Sequence, residues 1–281
     1  MTAELRGSTV GIIGAGRVGS VLGAALADAG YPVIATSPSS HTGLLPDADR
    51  GTPVEVIEAA ELVIVAVPDD VLAPLVAQLH FHPGQVVAHT SGTYGIGVLA
   101  PAIAHGARPL AMHPAMTFTG RPEDLARLRK GISFGLTAPD DLKPLAESLV
   151  RELGGTPEWI SEEHRTLYHA ALTHGANHLV TLVNDAVDRL RDAGVRHPAR
   201  VLDPLLHAAL DNALRHGDAA LTGPVSRGDA GTVAAHLDAL ADAAPESVAA
   251  YLALARRTAD RALAAERILP AEAEQLRDVL A

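Results

Sequence analysis

The chain has 281 residues, 48% hydrophobic but only 3% aromatic, so about two domains are expected, with cores built from Ala, Val, Leu and Ile. Twenty-two basic residues against thirty-three acidic ones leave a net charge of −11, which disfavours nucleic acid or an anionic membrane as a partner. Without cysteine there is no disulfide framework, thiol nucleophile or cysteine metal site.

No apolar stretch reaches the roughly 20 residues of a membrane helix. The first apolar run, Val10 to Ala15, is too short for a secretory signal, so a cytoplasmic location is expected. Up to about residue 157, short β-branched runs alternate with helical segments: Thr9 to Ile13, Val33 to Ala35, Leu62 to Val67, Gln85 to Ala88, Arg108 to Met112 and Ile132 to Leu136. This punctuation predicts an α/β domain, a mostly parallel sheet with helices on both faces. From Ser161 onward apolar residues fall at helical spacing, with breaks near Gly194 to Pro198, Gly217 to Asp229 and Ala244 to Pro245, which predicts an all-α second domain. The boundary is placed between Gly154 and Ser161, where Gly154, Gly155 and Pro157 precede a last short strand (Glu158 to Ile160) that closes the first domain, giving domains 1–160 and 161–281.

The first strand runs into Gly14, Ala15, Gly16, Arg17, Val18 and Gly19, a GxGxxG turn that opens a helical run from Val18 to Ala29. Gly14 permits the tight turn, Gly16 lets the backbone approach a pyrophosphate, and Gly19 lets helix and strand pack closely. The second strand ends in Thr36, Ser37, Pro38, Ser39 and Ser40, where an NAD site would carry an acid for the ribose hydroxyls. Hydroxyls from Thr36 and Ser37, no repelling carboxylate, and Arg17 beside the turn favour the 2′-phosphate of NADP(H). Further on, Val67 and Pro68 close an apolar strand on the cofactor side, and Asp69 reads as the N-cap of a helix starting at Val71.

Two later strand ends carry polar groups, where ligands of open α/β sheets sit. One is His89, Thr90, Ser91, Gly92, whose hydroxyls and backbone N–H groups suit a carboxylate. The other is His113, Pro114. The bland reading makes the first a side-chain-stabilised turn and each imidazole a satisfied polar residue. In a helix read from Glu162 to Leu190, His169, Thr173, Asn177, Asn184 and His174 fall within about 140° of one another, on a face beside the apolar Ala170, Ala171, Leu172 and Ala176. Such a stripe needs solvent, a partner or a ligand. Arg227, between Gly223 and Gly228, can pair with a carboxylate or cap helix carbonyls, and Asp229 caps the next helix. The histidines lack metal-ligand spacing, so no metal is implied. The alanine-rich helices of Ala230 to Ala265 are too apolar to be covered by one sheet domain, which points to a homodimer through the second domain.

Over essentially its whole length the chain resembles a two-domain Rossmann family with a C-terminal helical domain. The resemblance rests on GIIGAGRVG, AVPDD, HTSG, MHPAMTF, LYHAALTHGANHLVTL and LTGPVSRGDAGTV. That family is similar in architecture to pyrroline-5-carboxylate reductases and 6-phosphogluconate-type dehydrogenases, and includes the PanG-type ketopantoate reductases. The resemblance implies reduction of 2-dehydropantoate to pantoate by NADPH, on the route to pantothenate and coenzyme A, in a cleft between the domains. Related enzymes use a Lys four residues before an Asn. Here Thr173 precedes Asn177, and the only lysines are Lys130 and Lys143, outside any such motif. Histidine then replaces lysine as proton donor, with His113, His174 and His169 as candidates because an ordinary imidazole titrates near about 6.5. Asn177 would bond the substrate oxygen, and Thr90, Ser91, Thr173 and Arg227 would bind the remainder of a small 2-oxo acid. The alternatives are a pyrroline-5-carboxylate or other imine reductase, and a non-catalytic NADP-binding sensor.

Overall fold

A computed structural model of the protein describes residues 7–36 and 43–281. The chain divides into two compact units, Met1–Gly175 and Ala176–Ala281, so the division falls beyond the helix that follows residue 160.

The first unit runs β1 (Val10–Ile13), α1 (Arg17–Asp28), β2 (Val33–Thr36), β3 (Asp49–Gly51), α2 (Pro53–Ala59), β4 (Leu62–Val65), α3 (Asp69–Gln78), β5 (Val86–His89), α4 (Ala100–Ala104), β6 (Arg108–Pro114), α5 (Pro122–Arg129), β7 (Ser133–Thr137), α6 (Lys143–Glu152), β8 (Thr156–Trp159) and α7 (Arg165–Leu172). The strands form one sheet in the order β3-β2-β1-β4-β5-β6-β7-β8. All pairs are parallel except β6 with β7, whose antiparallel register sets His113 opposite Gly135. Strand side chains alternate between faces. Val10, Ile12, Leu62, Ile64 and Leu110 therefore join Leu22 and Leu26 of α1, Leu128 of α5 and Leu149 of α6. Ile13, Val63, Val65 and Val87 face the other way onto Val56 of α2, Leu72 and Val76 of α3 and Ala102 of α4. Apolar runs buried on both faces are what an all-but-parallel, doubly covered sheet requires. The chain reverses its direction of strand addition between β1 and β4, so the carboxyl edge at β1, β4 and β5 is a topological switch point.

Local chemistry sets the element boundaries. Thr52 and Glu55 make a capping box at α2, the Thr52 hydroxyl accepting from Glu55 N at 3.3 Å and a Glu55 carboxylate oxygen from Thr52 N at 2.7 Å. At α3 the N-cap is Pro68, whose carbonyl accepts from Val71 and Leu72; Asp69 is the first helical residue rather than the cap expected from sequence. The strand β3 is missing from the sequence expectation because Asp49, Arg50 and Gly51 form a short polar edge with no apolar alternation.

Between residues 162 and 192 the expected uniform helix is replaced by a 3-10 turn (Glu162–His164), α7, a π turn (Thr173–Asn177) and α8 (His178–Asp192). A π turn carries more residues per turn than an α-helix, so angles counted at 100° per residue do not carry across it, and the polar stripe is not one continuous face. Ala170, Ala171 and Ala176, the apolar neighbours of that stripe, are themselves exposed.

The second unit continues with α9 (Pro198–His216), α10 (Ala230–Ala243), α11 (Pro245–Ala264) and α12 (Pro270–Val279). Its core joins Val233, Ala255, Ala259, Ala262, Leu276 and Leu280. Part of the alanine-rich segment is packed into this core, while Leu254 of α11 stays 45% exposed; further exposed large aliphatics lie on α8 and α9, Leu210 at 52% and Leu214 at 80% among them. Asp229 caps α10 as expected, accepting from Thr232 N at 2.9 Å. Among the described residues no helix is long and apolar enough to cross a membrane.

His89, fully buried at the end of β5, ties the next turn together: its Nδ1 accepts from Ser91 N at 3.2 Å and its Nε2 donates to Gly95 O at 2.8 Å. Burial pushes this imidazole down from 6.5 to about 4, the Gly95 bond and nearby carboxylates only partly offsetting it. Well above pH 6.5 both folded and unfolded forms are neutral. As the pH falls toward 4 only the unfolded form takes up the proton, so stability is lost across that window, by about 3 kcal/mol for this group. Urea midpoints measured from pH 7 to pH 4.5 should therefore fall more steeply for the parent protein than for His89→Gln; equal slopes would show that His89 does not control acid stability.

Candidate functional site

The turn after β1 has the local geometry its sequence promises. Gly14 adopts φ +90°, and a Cβ there would stand 2.6 Å from Ala66 O and 2.8 Å from the Val67 side chain. At Gly19 a Cβ would meet Gly14 O at 2.3 Å, so helix and strand approach as closely as backbone allows. Gly16 is different: a Cβ there would meet nothing within 4 Å. Tight turn, open approach and close packing are thus divided among the three glycines as a dinucleotide turn requires. The N-terminus of α1 has no side-chain cap and no acidic residue in its first turn, which leaves its N–H groups and positive dipole end for an anion. Arg17 is exposed as the first residue of that helix. The Thr36 hydroxyl accepts from Gly14 N at 2.9 Å, fixing the end of β2 to the turn. Buried Ser20 donates to Ala15 O at 2.6 Å and locks the turn from the helix side. Ser37 lies outside the described residues. The residues present therefore fit a dinucleotide.

A second set of groups gathers at the carboxyl ends of β5 and β6. His113, near the end of β6, has its Nδ1 3.0 Å from the Tyr168 hydroxyl, with the two rings edge to face at 5.6 Å. His169, next on α7, places its Nδ1 2.6 Å from the Thr93 hydroxyl and its ring 6.1 Å from that of His113. Two glycines make room for this cluster. A Cβ at Gly92 would stand 2.6 Å from His169 Cδ2 and 3.1 Å from His113 Nε2. One at Gly135, directly across the register from His113, would stand 2.7 Å from the Tyr168 oxygen. Burial first, then the charges of Arg165, His169 and His89, push His113 down from 6.5 to about 4. At neutral pH it is an uncharged imidazole with one N–H donor and one acceptor nitrogen, without even the minor imidazolium fraction that its ordinary value would leave there.

The remaining candidates fall elsewhere. Buried Ser91 uses its hydroxyl oxygen to accept from Thr93 N and Tyr94 N, each at 3.2 Å, so its first task is to hold the turn; only its O–H is left to donate. Thr90 is half-buried, its N–H donating to Val65 O at 3.3 Å. Half-buried Thr173 and exposed His174 lie in the π turn. Asn177, its last residue, and Arg227, exposed in a 3-10 turn, belong to the second unit. The first unit thus brings together His113, His169 and the Ser91 turn. It adds Tyr168, Arg165, Thr93 and Gly135, which sequence reasoning passed over, and gives Gly92, read there only as part of the turn after β5, the task of making room for the His169 ring. The available signal was the i, i+3 pair Arg165 and Tyr168 on a helix that also carries His169.

Residues 3–114 match the family described as a Rossmann-like domain. Residues 132–258 match the family described as a domain of unknown function, DUF2520. No curated protein matches the sequence. Among solved structures, the chain is similar to a candidate NADP oxidoreductase from Bacteroides fragilis, at 22% identity over 92% of this chain and 100% of that one, with a TM-score of 0.75. It is similar to a reductive aminase from Aspergillus terreus in complex with NADPH and ethyl levulinate, at 17% identity over 97% and 99% of the two chains, with a TM-score of 0.65. The 1-pyrroline-5-carboxylate reductase of Streptococcus pyogenes follows at 17% identity, covering 92% and 98%, with a TM-score of 0.62. These likenesses show a shared fold. The chain therefore carries a Rossmann-like domain followed by a DUF2520 domain.

Proposed function

We propose that the protein is an NADP(H)-dependent reductase of a small 2-oxo acid, with 2-dehydropantoate as the substrate that its motifs favour. The observation that carries this reading is the placement, on the carboxyl edge of one sheet, of an open glycine turn after β1 and a half-buried imidazole–phenol pair at the end of β6. The Gly14–Gly19 turn and the N-terminus of α1 would hold the pyrophosphate, Val67 and Pro68 would line the nicotinamide side, and Arg17 would meet the 2′-phosphate. The bound cofactor supplies a hydride. The protein's own task is to orient the carbonyl and neutralise the oxygen that gains the electron pair. The neutral His113 ring offers an N–H to that oxygen, and the Ser91 hydroxyl retains a proton for a carboxylate. A carbonyl needs such a donor, whereas an iminium reaches the site already protonated; this favours a keto acid over a cyclic imine. No acidic side chain stands at the described end of β2, which supports NADPH over NADH. The exposed aliphatics of α8 and α9 support a homodimer through the second unit.

The purified protein should consume NADPH with 2-dehydropantoate and leave cyclic imines such as pyrroline-5-carboxylate unreduced. Turnover confined to the imines would overturn the substrate class, and NADPH binding with no turnover on either would point to a sensor. Gly16→Ala should weaken NADPH binding about tenfold, about 1.4 kcal/mol, with an unchanged melting temperature, because its methyl group enters open space; unchanged affinity by calorimetry would place the pyrophosphate elsewhere. Size-exclusion with light scattering should give twice the 29.1 kDa chain mass, and Leu210→Glu with Leu214→Glu should halve it. A monomeric parent would remove the dimer.

A further inference from the structure

Arg165 is the largest of the fully buried side chains, 1% exposed at the start of α7. Its Nη1 donates to Gly135 O at 3.2 Å, while Nε and Nη2 find no hydrogen-bond partner among the described residues. Among the described residues no carboxylate pairs with it. The nearby Glu162 is turned to the 3-10 segment after β5, accepting from Ile96 N at 2.7 Å and Gly97 N at 2.9 Å. A buried, incompletely bonded charge costs several kcal/mol, and an apolar side chain of similar volume would fill the space more favourably. Packing therefore does not explain it. One helical turn further on, Tyr168 crosses the space left by Gly135 and reaches His113. Guanidinium, phenol and imidazole thus meet around a single glycine.

We propose that Arg165 is a positioning charge that makes Tyr168 the proton reservoir behind His113. This rests on the reductase reading above. A guanidinium beside the phenol favours Tyr168 as the donor to His113 Nδ1, which leaves the imidazole proton on Nε2. When hydride adds to the carbonyl carbon, the C–O π pair moves to oxygen and the oxygen takes the Nε2 proton. Nδ1 then takes the phenol proton, and the phenolate left behind is held by Arg165. The imidazole stays neutral throughout. The reset returns the Nδ1 proton to the phenolate while Nε2 takes a proton from water. The titratable groups around the relay pull in different directions. Burial and then Arg165 hold His113 low, with His169 and His89 adding to the effect. The Tyr168 phenol stands above its ordinary value: burial raises it, Arg165 offsets only part of that rise, and Glu158 of β8 adds to it, so Arg165 lessens the cost of the transient phenolate without removing it.

The test uses the full ligand-free chain, with histidine ring NMR and tyrosine absorbance. The parent should show the Nε2–H tautomer of His113 and a pKa of about 4. Arg165→Met should move that pKa toward 6.5 and raise the phenol's, while Arg165→Lys keeps both near the parent. Tyr168→Phe should leave a mixture of His113 tautomers. With NADPH and the accepted substrate, Tyr168→Phe and Arg165→Met should lower kcat by about tenfold to a hundredfold with KM unchanged, and Arg165→Lys should restore most of it. An unmoved His113 pKa in Arg165→Met, or an Nδ1–H tautomer in the parent, would overturn the proposal. If Arg165→Met does not fold, the tautomers of the parent and Tyr168→Phe decide it. Absence of turnover on any substrate would defeat the reductase reading while leaving the NMR outcome readable.

Discussion

The imidazole of His113 exists in its environment because two positions beside it carry no side chain. Gly92 leaves the volume taken by the His169 ring, and Gly135 leaves the volume taken by the Tyr168 phenol. A methyl group at either would overlap a ring at 2.6 or 2.7 Å, well inside contact distance. The consequence reaches beyond fit. Close approach excludes water from the imidazole, and exclusion of water sets its protonation state. The antiparallel pairing of β6 with β7 is what puts Gly135 opposite His113; a parallel crossover there would have presented a different residue.

The same edge of the sheet asks opposite things of its two polar centres. The turn after β1 is built around an open position, Gly16, and an uncapped helix end, so it is incomplete until an anion arrives. The His113 cluster is built around closed positions, its partners already in place. One centre suits a large charged ligand that binds and leaves, and the other suits a proton that moves a short distance between fixed atoms. Their separation along the sheet follows from chain order, because β1 and β6 are held apart by β4 and β5.

Much of the sheet was legible in the sequence because its strands are uninterrupted β-branched runs, and β1, β4 and β5 lie where such runs predict them. The edge strand β3 was not, since Asp49 to Gly51 lacks any apolar signal. The glycine turn was legible because each glycine has a mechanical reason to be there. His113 was visible as a polar residue at a strand end, but its depressed basicity was not, because that comes from burial and then from Arg165. Tyr168, Arg165 and Gly135 stayed hidden for a related reason. Their meeting depends on which residue of β7 faces which residue of β6, and periodicity does not carry register. The polar stripe on the long helix failed on a single assumption, a constant angle per residue, which the π turn breaks.

The low aromatic content has a practical side. Trp159 is the only tryptophan of the chain and sits on the edge strand β8, its indole N–H donating to Glu147 at 3.1 Å, with the Lys143 ammonium 5.3 Å from its ring. Indole emission is sensitive to such neighbours, so the first unit carries its own built-in spectroscopic reporter. Tyr251 is the sole aromatic fluorophore of the second unit. Indole emission therefore follows the first unit alone, without any attached dye, whereas tyrosine emission mixes Tyr251 with Tyr31, Tyr94 and Tyr168 of the first unit.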